Sequence, residues 1–108
     1  MGEEPLTDAR RYERISLPKG MLVAWYGAGE SEVSRVLTLS MGGLFISAVK
    51  PPAVGTKLKM VFEVPGGSVE ADGIVRNVLP GKGMGIEFTR TGAQGRILLE
   101  RLLKRLLR

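Results

Sequence analysis

Hydrophobic and polar positions alternate from Lys57 to Val64, Val61 alone excepted. Leu58, Met60, Phe62 and Val64 are apolar, while Lys57, Lys59 and Glu63 are charged. A period of two puts all four apolar side chains on one face of a half-buried β-strand. The same reasoning predicts strands on both sides. Met21 to Tyr26, carrying Val23, Trp25 and Tyr26, ends at a turn containing Gly27 and Gly29, and Val33 to Leu39 forms the next strand. Ser40, Met41, Gly42 and Gly43 then break the run as a hairpin turn. Leu44, Phe45 and Ile46 resume the extended pattern up to Lys50. Pro51, Pro52 and Gly55 end that strand.

Past Val64, the segment Pro65, Gly66, Gly67 supplies a turn into a long strand, Ser68 to Leu79. Val69 and Ala71 alternate there with Glu70 and Asp72. Ile74 and Val78 take the opposite parity, which predicts a bulge at Gly73. Pro80, Gly81 and Gly83 set off a last strand, Met84 to Phe88. The period then changes. Leucines recur at helical spacing from Ile97 to Leu107, and Thr91 and Gln94 have the spacing of a capping box.

About six antiparallel strands joined by hairpin-length turns, with one helix at the end, predict a mainly β fold: a small closed barrel, because closure removes exposed strand edges. The barrel is expected over about residues 16–90 and the C-terminal helix over about 92–108. Met1 to Ala9, with Glu3, Glu4, Pro5 and Asp8 and little to bury, reads as a flexible lead. On a helical wheel Leu98, Leu99, Leu102, Leu103, Leu106 and Leu107 oppose Arg101, Lys104, Arg105 and Arg108. Packing on its own barrel is the first reading of the leucine face. A homodimer seam comes second and an anionic lipid surface third.

Composition narrows the function. A chain of 108 residues with 44% apolar content has room for one domain. It contains neither cysteine nor histidine, which removes disulfides, thiol nucleophiles, imidazole bases and the usual zinc ligands. No catalytic constellation, metal site or cofactor is therefore expected, and a non-enzymatic role is. The apolar runs are too short to cross a bilayer of about 30 Å, and the start of the chain lacks a secretory pattern, so a cytoplasmic location without membrane association is expected.

Sixteen Lys and Arg against eleven Asp and Glu give a net charge of +5, which favours anionic partners. The excess sits at the two ends. Arg10, Arg11 and Arg14 cluster before the first predicted strand, and each guanidinium is a rigid fork that can hold two phosphate oxygens or the O6 and N7 of a guanine. Taken alone, that cluster also fits a solvated basic arm. Thr38, Ser40, Gly42 and Gly43 place small polar groups beside glycines, where a ligand can approach backbone amides; a plain glycine-rich turn has the same composition.

Together and in this order the two segments resemble the PilZ family, whose pattern is Arg-x-x-x-Arg followed by Asp or Asn-x-Ser-x-x-Gly. Arg10, Arg14, Ser40 and Gly43 match it; Thr38 stands where the family has Asp or Asn. The resemblance continues through Leu44-Phe45-Ile46, Pro52 to Leu58, Gly73 to Arg76 and Met84 to Phe88, covering the chain from Arg10 onward. It implies a six-stranded barrel that binds the bacterial second messenger cyclic di-GMP and signals to a downstream protein partner. By position, Arg10 and Arg14 would contact phosphate and guanine, with Arg11 beside them. Ser40 would bond at the ligand rim, and Gly43 would leave room for the nucleotide. Two other classes remain open: a PilZ-fold adaptor that works by protein contact alone, and a basic barrel for single-stranded nucleic acid. One Trp, two Tyr and three Phe, scattered along the chain, are few for base stacking, so neither DNA nor RNA is expected as a partner.

Overall fold

The structure, a computed structural model, describes Ile15–Ser16 and residues 21–106. In chain order the elements are β1 (Ile15–Ser16), β2 (Leu22–Gly27), β3 (Glu30–Ser40), β4 (Gly43–Ser47), β5 (Lys57–Val64), β6 (Gly67–Leu79), β7 (Gly83–Thr91) and α1 (Ala93–Leu106). β2 to β7 pair antiparallel in the order β3-β2-β5-β6-β7-β4, and β4 returns to β3, so six strands close a barrel. β3 allows the closure because it is long enough to serve two partners. Glu30 to Arg35 pair with β2, and Val36 to Ser40 pair with β4. Leu37 is the extra residue where the register with β4 shifts, between Val36 and Thr38. Such a bulge bends the strand around the barrel wall.

β5 follows the alternation of its sequence, with Leu58, Met60, Phe62 and Val64 buried and Lys57, Lys59, Val61 and Glu63 exposed. The core gathers these with Val23 and Trp25 of β2, Val36 and Leu39 of β3, and Leu44 and Ile46 of β4. Buried Trp25 donates its Nε1–H to Ser34 Oγ at 2.9 Å, which explains a serine inside an apolar barrel: it satisfies the indole. Leu98, Leu99 and Leu103 of α1 are buried on the barrel, where the helix packs on β6 and touches β5. Gly95 seats the helix against Val69, since a Cβ there would come within 3.2 Å of Val69 Cγ1. The leucine face is thus taken up largely by the chain's own core.

Three sequence expectations change. The bulge of β6 lies at Arg76, not Gly73: Val75 faces Ile86 and Asn77 faces Gly85, so Arg76 is the unpaired residue. Val69, Ala71 and Val75 keep one inward parity, and Ile74 sits half-exposed on the outer wall beside Lys57. Opposite Gly73 the register also shifts, but there the extra residue is Thr89 of β7, between Phe88 and Arg90. The capping box is the second change. Thr91 closes β7 opposite Ala71, and the first helical bond runs from Arg96 N–H to the Gly92 carbonyl at 2.9 Å, which puts the cap at Gly92. Third, the strands outrun their apolar cores. β3 begins at Glu30 and β7 ends at Thr91 because backbone pairing continues through polar residues, whereas β4 stops at Ser47, short of Lys50.

Candidate ligand-binding hairpin and its relatives

Thr38, Ser40, Gly42 and Gly43 come together in one structure, the two-residue hairpin that joins β3 to β4, with Ser40 paired to Gly43. The serine holds the turn. Ser40 is 4% exposed; its Oγ accepts from Gly42 N–H at 3.1 Å and donates to the Gly43 carbonyl at 3.3 Å. The turn is pinned to β7 as well, through Phe88 N–H donating to the Gly42 carbonyl at 2.8 Å. Gly43 lets β4 lie this close to β7, because a Cβ would collide with the carbonyl oxygen of Ile86. The hairpin is therefore a rigid part of the barrel wall.

Thr38 sits just after the β3 bulge, opposite Phe45 on the outward parity. Its Oγ1 is, among the described residues, the one buried side-chain oxygen or nitrogen with no hydrogen-bond partner. An unpaired buried hydroxyl costs on the order of 1–3 kcal/mol, so this position is primed to accept a partner. β4 flanks Thr38 and Leu39 on one side and β1 on the other, with Ile15 opposite Leu39 and Ser16 opposite Thr38. Arg14 is joined to Ile15 by a single peptide bond. Arg10, Arg11 and Arg14 themselves lie outside the described residues.

The structure adds neighbours that spacing alone did not single out. Gly43 stands opposite Glu87, whose Oε1 accepts from Arg76 Nε. Phe45 is half-buried opposite Gly85, and the Asn77 side chain lies over that glycine. Arg76 and Glu87 have outward parity in the sequence; their place beside Gly43 depends on which distant strands pair. Farther round the wall, Tyr26, Lys57, Lys59 and Ile74 border a groove of about 540 Å³. Asp72, also on its rim, accepts hydrogen bonds from Lys59 Nζ and Arg90 Nε, each at 3.2 Å. These bonds, that from Lys59 first, hold its carboxyl below the usual carboxylate value. No helix among the described residues is long and apolar enough to cross a membrane.

A closed six-stranded barrel with a terminal helix and this hairpin agrees with a family model, the PilZ domain, that matches residues 8–105. The chain belongs to the PilZ domain family. This PilZ domain superposes on several solved structures. One is the Bacillus subtilis inhibitor of motility, MotI/DgrA, with a TM-score of 0.76 and 18% identity over 94% of this chain and 53% of that one. The present chain thus spans about half the length of that relative. The PilZ domain of YcgR from Escherichia coli, solved with c-di-GMP, gives a TM-score of 0.70 and 19% identity over 93% of this chain and 92% of its own. The PilZ domain of CeSA from a cellulose-synthesizing bacterium gives 0.66 and 20% identity over 89% and 99%. At these identities the likeness is one of fold. No curated protein matches the chain.

Proposed function

We propose that this PilZ domain is a cyclic di-GMP receptor, acting as a signalling effector rather than an enzyme. The observation that carries the reading is the placement of the hairpin. Thr38, Ser40 and Gly43 fall at the family's motif positions on a rigid wall, and β1 pairs Ile15, the residue that follows Arg14 in the sequence, with Leu39 between Thr38 and Ser40. The PilZ domain of YcgR, which shares the fold, was solved with that nucleotide. In this reading Arg10 and Arg14 supply the charged forks, one to phosphate and one to a guanine edge, and Arg11 adds positive potential. Thr38 Oγ1 gains the hydrogen bond it lacks, and the Gly42–Gly43 backbone lets the nucleotide lie flat on the wall. Ser40 contributes by holding the turn as well as from the ligand rim.

Binding would engage the arginine segment and change the surface offered to a downstream protein. A cytoplasmic location fits a receptor for an intracellular messenger, with no further cofactor and no nucleic-acid partner. Calorimetric titration tests the reading directly. The parent protein should bind cyclic di-GMP, and Arg10→Ala and Arg14→Ala should each weaken it at least about tenfold while melting normally, since a charge-assisted hydrogen bond is worth about 1.5–3 kcal/mol. Equal affinity in all three proteins would remove the arginine clamp. No binding by the parent would leave the adaptor as the function.

A further inference from the structure

The outer wall of β3, β2 and β5 carries an apolar patch that the core does not use. Val33 is 64% exposed, Tyr26 55%, Leu22 52% and Val61 41%. Pairing places them side by side: Val33 faces Ala24, which faces Val61, and Leu22 and Tyr26 lie two residues either side of Ala24 on the same face of β2. Five apolar side chains on three adjacent strands form a contiguous patch of the kind that soluble monomers seldom leave uncovered.

Opposite charges flank the Leu22 end of the patch, while Lys59 of β5 lies beside Tyr26 at the other end. Arg35 flanks the patch on the β3 side, opposite Leu22. Glu63 of β5 and Glu70 of β6, which faces Val61, flank it on the other side. A two-fold axis lying along β2 exchanges these sides when one copy is laid face to face on another. Val33 then meets Val61 of the second copy, Leu22 meets Leu22, and Arg35 meets Glu63, so that this pair of charges is matched and the apolar row covers itself. The groove bordered by Tyr26, Lys57 and Lys59 leaves space for the second Tyr26 ring at the end of that row.

We propose that this domain self-associates through the outer face of β3, β2 and β5, its occupant being a second copy of the chain related by that two-fold axis. The surface is separate from the hairpin, so association does not require nucleotide.

Sedimentation velocity without nucleotide, from about 10 µM to about 1 mM, spans the range in which a modest interface shows itself. The mass should rise from 11.7 kDa toward twice that value. Val33→Glu should stay monomeric over the same range with an unchanged melting temperature, because the side chain it replaces is exposed. Arg35→Glu should weaken association at least about tenfold by setting like charges together. Combining it with Glu63→Arg should restore most of that loss, a readout that a general effect on folding would not give. A parent that remains at 11.7 kDa throughout, or a dimer that survives Val33→Glu, overturns the proposal. A double variant no tighter than Arg35→Glu alone overturns the two-fold apposition.

Discussion

Gly43 of β4 stands opposite Glu87 of β7, so near that a Cβ on it would strike the carbonyl oxygen of its neighbour's preceding residue, Ile86. The glycine therefore serves the barrel seam before it serves any ligand. Gly43→Ala should lower stability to urea by about 1–3 kcal/mol, the usual cost of forcing extra volume into a packed site. Affinity then has to be read on the folded fraction. A variant with the parent's urea midpoint would mean the seam opens freely, leaving ligand clearance as the glycine's only duty.

Thr38 offers opposite changes in stability and binding. Its buried Oγ1 has no partner, so Thr38→Val should raise the stability of the ligand-free protein by about 1 kcal/mol and weaken cyclic di-GMP. Thr38→Asn should tighten binding by about 1–2 kcal/mol through a better-placed acceptor. Thr38→Asp should do the same, less the repulsion its charge exerts on the ligand phosphates. Calorimetry beside thermal melts separates the two effects. Unchanged affinity in all three variants would mean that Thr38 does not face the base.

The β2–β3 turn holds Ala28 at φ 53° and Gly29 at φ 78°. Two successive positive φ angles match the hairpin turn that favours Asn-Gly, and alanine in the left-handed region costs about 1–2 kcal/mol. Ala28→Asn should raise the melting temperature without touching ligand affinity. A lower melting temperature would show that the turn prefers another conformation.

Asp72 links β5 to β7 by accepting from Lys59 and Arg90, and its carboxyl is held below the ordinary value of 3.8. A depressed folded value makes its stabilising contribution complete above 3.8 and lost as pH falls through the lower folded value. The parent should outlast Asp72→Asn in thermal melts at neutral pH by a small margin, the pair being surface-exposed. The margin should vanish in acid. A margin that persists there would assign it to packing instead of charge.

How far the sequence discloses this molecule varies with the range of the interaction involved. β5 is legible from Leu58, Met60, Phe62 and Val64 because a local period directly encodes which face is buried. Thr38, Ser40 and Gly43 are legible as a unit because a hairpin needs only neighbours in the chain. The first three residues of β3, Glu30 to Glu32, are not, since their strand character comes from pairing with β2 and not from burial. The β6 bulge lies at Arg76 and not at the Gly73 that the pattern predicts for a related reason: Ile74 is apolar yet points outward, so parity of hydrophobicity is a false guide there. Glu87 beside Gly43 is a long-range consequence of β4 meeting β7, which no spacing within either strand reveals.

The two-residue strand β1 has a kinetic consequence. With Ile15 paired to Leu39, the Cα of Arg14 is tied about 3.8 Å from an anchored residue, whatever the chain before it does. Its effective concentration at the hairpin is accordingly high, and the entropy of bringing that charge to the ligand is spent during folding. Arg10, four residues earlier in the sequence, is limited by chain length alone to within about 14 Å of Arg14. Arg14, the nearer of the two to the paired residue Ile15, should thus govern the initial capture rate and Arg10 the residence time.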